Sequence, residues 1–388
     1  MSLMSSIVAD KKIKILYIQQ NTKSFAGVEH VVDTVCSEIS RKFGASIELD
    51  VLYTSKHKNR PKSRPAYNEI TRISRNTLHM MKICRRTVAC KDYQLVVVPQ
   101  IEPAVLVMIA CLGIPQRIAV YLHGNPHREC SHWKAKVLFF LMKFYFLQHV
   151  SDVFGTSPRQ LESFRKMFGS EVRQTWLPNP VRRFDDQSNC AIDQDFVTFV
   201  NVGRFTHQKG QDILISAFSE LARIRKNVRL RIVGYGEDEA ALRQQVLQLN
   251  MQSVITFDNL PDNPAPALSA SDVFVSTSRW EGWSLAICEA LRFGMPVVST
   301  DCQFGPSDIL TDEKLGRLVQ ADKIEQLVAA MAYYVDNLRY EKTYSDYRKA
   351  YVSRFDVDQI VDVHAAAILT AAGRAPVKMG DVPAFEAR

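Results

Sequence analysis

FVTFVNVGRFTHQKGQDILISAF, Phe196–Phe218, is the stretch on which the fold turns. Phe196 to Gly203 is apolar almost throughout, so it reads as a strand covered on both faces. QDILISAF has helical spacing, and only the short Arg204–Gly210 loop lies between. Strand, short loop and helix make the unit of a parallel sheet. The same rhythm runs on through VRLRIVGYG (228–236), VITFDN (254–259), DVFVSTS (272–278) and PVVSTD (296–301), with helices expected at about 210–225, 237–250 and 284–293. Toward the N-terminus it is repeated by IKILYIQ (13–19), IELDVLY (47–53), QLVVVPQ (94–100), RIAVYLHG (117–124) and DVFGTS (152–157), with helical patterns over Val28–Phe43 and Asn68–Cys90. The alternation predicts two doubly wound α/β domains.

A chain of 388 residues has room for two such domains. They are expected to meet in LPNPVRRFDDQSNCAIDQDF (177–196), where two prolines, a polar cluster and a reversal of charge coincide. The organisation read from this is a first domain over 1–180, a linker over 181–195 and a second domain over 196–356. A last helix at 357–373 is free to return to the first domain, and a tail covers 374–388.

The 46% hydrophobic and 23% charged content is that of a folded protein and excludes a disordered chain. Neither long apolar run, Ala104–Ile114 nor Val137–Val150, is suited to span a bilayer; the second carries Lys143. The first residues, MSLMSSIVADKK, lack the basic-then-apolar order of a secretory signal, which favours the cytoplasm. Eight cysteines without a CxxC pair read as free thiols rather than a zinc site or disulfide framework.

Charge is divided unevenly. Residues 1–185 carry 28 Lys and Arg against 14 Asp and Glu, whereas 186–388 carry 21 against 27. The basic excess is densest in 55–86, where ten cations, beginning with Lys56, Lys58, Arg60, Lys62 and Arg64, meet one acid, Glu69. That pattern suits an anionic partner such as lipid headgroups or a phosphorylated acceptor; a solvated face is the plain alternative. Nucleic acid is disfavoured, because Tyr67 is the only aromatic there. WKAKVLFFLMKFYFLQHV (133–150) is apolar nearly all round and is expected in the core rather than on a membrane surface.

In parallel sheets ligands bind beyond the carboxyl ends of the strands. Arg204 and Lys209, leaving one strand just before a helix, can converge on one pyrophosphate with the helix N–H groups, or be a pair of ordinary surface cations. The corresponding loop after 272–278 is RWEGWSLAICEALRFGMP (279–296). It holds Glu281, then Gly282, Trp283, Ser284 and Leu285 at a helix start, and Glu289 inside the helix. Two carboxylates there could be acid and nucleophile for hydrolysis, a pair of hydroxyl clamps, or ordinary surface charges.

In order, Arg204 and Lys209, the Gly-x-Gly of VGYGED, the Glu281–Glu289 pair and DCQFGPSDIL (301–310) resemble the retaining nucleotide-sugar glycosyltransferases of family four, also called glycosyl transferases group 1. SFAGVEHVV (24–32), YLHGNP (121–126) and LPNPV (177–181) extend the resemblance to the first half. It implies a GT-B fold, two Rossmann-like domains facing a central cleft. It further implies that Arg204 and Lys209, beside Gly203, hold a donor diphosphate. Glu281 with the Gly282–Leu285 backbone would take the sugar, Glu289 the ribose, and Gly234, Gly236, Asn259 and Leu260 the base. From the first domain Gly27 would approach the phosphates and His123 the sugar; where the family shows Gly-Gly-x-Glu, this chain has Ala26-Gly27-Val28-Glu29.

The expected reaction is metal-free transfer of a hexose or hexosamine, from a UDP-sugar by preference or a GDP-sugar, to a lipid-linked or saccharide acceptor. No cofactor is required beyond that co-substrate. The enzyme would be peripheral on the inner face of the cytoplasmic membrane, serving polysaccharide or lipopolysaccharide synthesis. A non-catalytic nucleotide-sugar-binding homologue and an epimerase of the same fold are the alternatives.

Overall fold

The structure is a computed structural model that describes residues 12–19, 27–57, 64–184, 195–260 and 263–374. The chain divides into two compact units: everything up to Pro180 together with the segment from Val357, and Val181–Asp356. Lys58, Arg60, Lys62, Cys190, most of the expected linker and nearly all of the expected tail lie outside the described residues.

The first unit is built on seven parallel strands: β1 (Ile13–Ile18), β2 (Ile47–Tyr53), β3 (Asn68–Thr71), β4 (Leu95–Pro99), β5 (Ile118–Leu122), β6 (Val150–Gly155) and β7 (Gln174–Trp176). Their spatial order is β3-β2-β1-β4-β5-β6-β7. The central strands β4 and β5 are apolar runs because helices cover both faces, and every residue of both is buried. Between them run α1 (Gly27–Phe43), α2 (Thr77–Ala89), α3 (Ile101–Ala110), α4 (Pro126–Glu129), α5 (Trp133–Leu141) with a π-helical turn at Met142–Phe146, and α6 (Pro158–Phe168). α3 packs between α2 and α5, and Met80, Ile83, Val105, Met108, Phe139 and Met142 join one core beneath that layer.

Two expectations are corrected here. The helix expected over Asn68–Cys90 is a strand, β3, and then α2. Asn68–Thr71 pairs with Asp50–Tyr53, and the helix begins only where Asn76 accepts the His79 N–H at 2.8 Å as N-cap. The segment 133–150 is not wholly core. Ala135, Phe139, Met142 and Phe146 are buried, but Trp133, Val137, Phe140, Phe144 and Tyr145 are exposed. A helix lying on one side of a sheet buries one stripe, and here the opposite stripe is apolar too.

The second unit holds six parallel strands: β8 (Val197–Val202), β9 (Val228–Val233), β10 (Ile255–Asp258), β11 (Val273–Ser276), β12 (Val297–Thr300) and β13 (Gly316–Val319), in the order β10-β9-β8-β11-β12-β13. Its helices are α7 (Gln211–Ile224), α8 (Glu239–Gln248), α9 (Ala265–Ser269), α10 (Leu285–Arg292), α11 (Pro306–Ile309), α12 (Ile324–Glu341) and α13 (Ser345–Ser353). Arg348 of α13 is fully buried, and its guanidinium donates to the Lys314 and Glu341 carbonyls at 2.7 Å and to Glu341 Oε2 at 2.5 Å. A buried cation is tolerated only with its donors satisfied in this way.

α14 (Val357–Ala371) returns to the first unit and packs on α1, with Lys42 paired to Asp362 at 2.5 Å. Strand order reverses between β1 and β4 in one sheet and between β8 and β11 in the other. These are the switch points where crevices form beyond the strand ends.

Candidate functional site

At the β8/β11 switch point the two loops are locked together. Gly210 caps α7 with φ 64°, and a Cβ there would stand 2.2 Å from the Thr277 carbonyl oxygen. Only glycine fits so close an approach at positive φ. Thr277 Oγ1 donates to the Gly210 carbonyl at 2.8 Å, and Arg279 grips Asp212 with two bonds of 2.9 and 2.6 Å. The result places Lys209 Nζ 2.6 Å from Glu281 Oε1, which also accepts from Ser278 Oγ at 2.7 Å. Glu281 is buried, and its own N–H and carbonyl are tied to the 303–304 loop at 2.8 Å each. Among the described residues Lys209 keeps two of its three N–H donors for another anion.

Arg204 leaves β8 on the same loop. It is exposed, and its guanidinium has no ion pair or hydrogen bond among the described residues. Its backbone is held, because Gln211 Nε2 donates to its carbonyl at 3.0 Å. The loop thus offers an unspent cation on an anchored backbone beside a lysine already set in place.

Glu289 lies in the second turn of α10 and is buried. Burial raises its pKa, opposed by Arg182, then Arg292 and Lys209. Arg182 Nε donates to Glu289 Oε1 at 2.6 Å. At the start of α10, Gly282, Trp283 and Ser284 are buried, and no backbone carbonyl among the described residues accepts from the N–H groups of Ser284 and Leu285. Those are the first-turn donors that a ligand oxygen can take. The 303–305 loop packs against them: a Cβ on Gly305, φ 98°, would lie 3.1 Å from Trp283 Cα. Burial, and next the Glu281 charge, pushes the neighbouring Cys302 thiol up to about 12.

Gly234 and Gly236 act first on the fold. Their Cβ positions would fall 2.0 Å from the Gly203 oxygen and 2.2 Å from the Phe205 oxygen, so the two strand-end loops touch backbone to backbone. The Gly203 N–H donates to the Val233 carbonyl and the Gly234 N–H to that of Asp258. Asn259 is exposed at the end of β10, and Leu260 follows it half-buried.

Residues 183–351 match the family described as Glycosyl transferases group 1. The match lies within the second unit. The matching segments are 29% identical over 219 residues to an uncharacterized glycosyltransferase of Methanocaldococcus jannaschii, covering 54% of this chain and 53% of the relative. They are 27% identical over 184 residues to a lipopolysaccharide 1,6-galactosyltransferase of Escherichia coli, 46% of this chain and 51% of the relative. The chain thus spans about half the length of these curated relatives. Among solved structures it superposes on the apo form of the lipopolysaccharide outer core galactosyltransferase WaaB with a TM-score of 0.74, at 16% identity over 92% of this chain and 99% of that one. On Anabaena Alr3699/HepE in complex with UDP the TM-score is 0.75, at 17% identity over 92% and 100%. The fold is GT-B.

The remaining candidate residues belong to the first unit. His123 follows β5, its ring 4.0 Å from that of Tyr121. Both ring nitrogens are shielded from solvent and have no hydrogen-bond partner among the described residues. Burial lowers its pKa to about 3, with His364 adding to the shift. It is therefore a neutral imidazole. Gly27 opens α1 with no described atom within 4 Å of where a Cβ would stand. Lys56 and Arg64 are exposed.

Sequence reasoning did not find Arg182, Ser278 and Arg279 as parts of this constellation. Arg182 stands 107 positions before the carboxylate it grips, so no spacing rule could join them. Arg279 was legible in principle, as a cation next to the loop that Asp212 must hold. Among the described residues no three His, Cys, Asp or Glu side chains converge as metal ligands, the seven described cysteines are free, and no helix is long and apolar enough to cross a membrane.

Proposed function

We propose that the chain is a retaining glycosyltransferase that moves a hexose or hexosamine from a nucleotide diphosphate sugar, UDP-linked by preference and GDP-linked otherwise, to a hydroxyl of a lipid-linked or saccharide acceptor in surface-polysaccharide synthesis. The observation that carries this reading is the 2.6 Å pairing of Lys209 with Glu281 at the switch point, with the uncommitted Arg204 on the same loop. A diphosphate is met by cations and free N–H groups, and a sugar by a positioned carboxylate for its hydroxyls; the loops after β8 and β11 carry such groups together. Relatives point the same way, among them a poly(glycerol-phosphate) alpha-glucosyltransferase of Bacillus subtilis and the galactosyltransferase of Escherichia coli. The UDP in the Anabaena complex supports the base preference.

In this reading the bond from the anomeric carbon to the diphosphate oxygen breaks as the acceptor oxygen attacks from the same face. The acceptor proton passes to a diphosphate oxygen. Arg204 and Lys209 meet the charge that develops there, without a metal cofactor. Glu281 holds the sugar hydroxyls and Glu289 those of the ribose, with Arg182 fixing the Glu289 carboxylate. Lys56 and Arg64, exposed and within the basic segment 55–86, support an anionic membrane surface as partner, in keeping with an enzyme on the inner face of the cytoplasmic membrane.

A thermal-shift screen of UDP- and GDP-sugars tests the donor. At a concentration of 100 Kd the right donor adds about 2.7 kcal/mol of stability, a shift of several degrees. Anomeric NMR of the product then reports retention. If no nucleotide sugar stabilises the protein, the donor assignment is wrong. Glu289→Ala is expected to weaken donor affinity by about tenfold, roughly 1.4 kcal/mol, with a smaller effect on turnover. Titration calorimetry with the donor checks it.

A further inference from the structure

We infer that the outer face of α5 and its π-helical turn docks on an anionic lipid bilayer. This deepens the membrane partner proposed above and assigns the contact to a different element. Trp133, Val137, Phe140 and Phe144 follow one another at helical spacings of four, three and four, and all point to solvent; Trp133 is 71% and Phe144 60% exposed. Tyr145 widens the stripe, and the Phe140 and Phe144 rings lie 4.6 Å apart. The helix does not need this face for packing, since Ala135, Phe139, Met142 and Phe146 already anchor it to the core. So continuous an exposed aromatic stripe marks an interaction surface.

Its charge selects the partner. Lys134, Lys136 and Lys143 flank the stripe, are exposed, and form no ion pair among the described residues. No Asp or Glu occurs anywhere from Cys130 to Ser151. In the same helical layer, α2 adds exposed Leu78, Lys82 and Arg86. A second copy of the chain would bring lysines against lysines, because a two-fold contact pairs each patch with itself. An anionic bilayer satisfies both features at once. Phe and Val enter the acyl boundary, Trp and Tyr keep N–H and O–H at headgroup level, and the lysine stems reach up to phosphate.

The test is flotation of the full chain with phosphatidylglycerol-containing vesicles and with pure phosphatidylcholine vesicles. Wild type is expected to float with the anionic vesicles and not with the neutral ones. Trp133→Ser/Phe140→Ser/Phe144→Ser and, separately, Lys134→Glu/Lys136→Glu/Lys143→Glu should each lower the partition coefficient at least tenfold, with the donor-induced thermal shift unchanged. Unaltered flotation of the aromatic variant overturns the inference. So does a wild-type dimer in light scattering that the aromatic variant converts to monomer. Loss of flotation in Lys56→Glu/Arg64→Glu alone would keep a membrane partner and still overturn the α5 assignment. Failure of donor binding with stripe-dependent flotation intact would overturn the proposed function and leave this inference standing.

Discussion

Lys209→Ala lowers kcat/KM for sugar transfer by roughly 10²–10³-fold, about 2.7–4 kcal/mol, the usual cost of removing one preorganised donor from a developing anion. The size of the effect follows from how the lysine is held. Its backbone N–H is tied to Thr206, its stem runs along Gly203, and its ammonium is aimed by Glu281. That positioning is complete before the donor arrives, so no reorganisation is spent at the moment of bond cleavage. Lys209→Arg is not an adequate replacement, because the planar fork is longer and would displace Glu281. Some stability is also lost, since among the described residues Glu281 then keeps only Ser278 as a side-chain partner. Steady-state kinetics with the stabilising donor, read beside the melting temperature, separates the two effects. A variant that transfers at the wild-type rate would remove Lys209 from the leaving-group site.

The second large effect is on stability against acid. His123 and His364 are neutral in the folded chain, their pKa values lowered by burial to about 3 and about 4. Unfolded, each titrates near 6.5. A depressed histidine pKa means that stability is full above the unfolded value and falls as pH drops through it, because the unfolded chain takes up a proton that the fold refuses. Each histidine costs about 1.4 kcal/mol per pH unit between roughly pH 6.5 and its folded value. Glu129 works against them. Burial raises its carboxyl to about 7, so its own contribution grows as pH falls toward the ordinary carboxylate range. The test is therefore a difference. His364→Phe should reduce the acid-side slope of unfolding free energy by about 1.4 kcal/mol per pH unit relative to wild type, leaving Glu129 common to both. Urea titrations between pH 7.5 and 5 measure it; parallel slopes would show that His364 protonates in the folded state. The variant also loses the 3.2 Å contact of Nε2 with the Pro178 carbonyl, which shifts the curve without tilting it.

What the sequence made legible follows the strength of its local signals. β4, LVVVP, and β8, VTFVNV, are apolar runs that only a covered strand explains, and their succession by helices leads to the parallel sheets. β3, NEIT, has only one partly buried residue, and β7 is three residues long, so neither rises above its loop. The false start of α2 came from reading through Asn76, whose capping role was the available signal. Arg204, Lys209, Glu281 and Glu289 were visible as types at strand ends, and the structure supplies the pairings that spacing could not: Lys209 with Glu281 and Arg182 with Glu289. For 133–150 the residue pattern was apolar on two sides, and nothing local says which side has a neighbour.

The interruption of the first unit in sequence has a consequence for biosynthesis. Its sheet and α1–α6 leave the ribosome first, yet α14 emerges about 180 residues later, after the whole of Val181–Asp356. Until then α1 lacks the helix that packs on it, and the Pro178 carbonyl lacks His364. The second unit, being contiguous, has no such wait. The later-made half can therefore reach its native state while the earlier-made half is still open, and in nascent first units α1 waits for its packing partner for as long as it takes to translate the second.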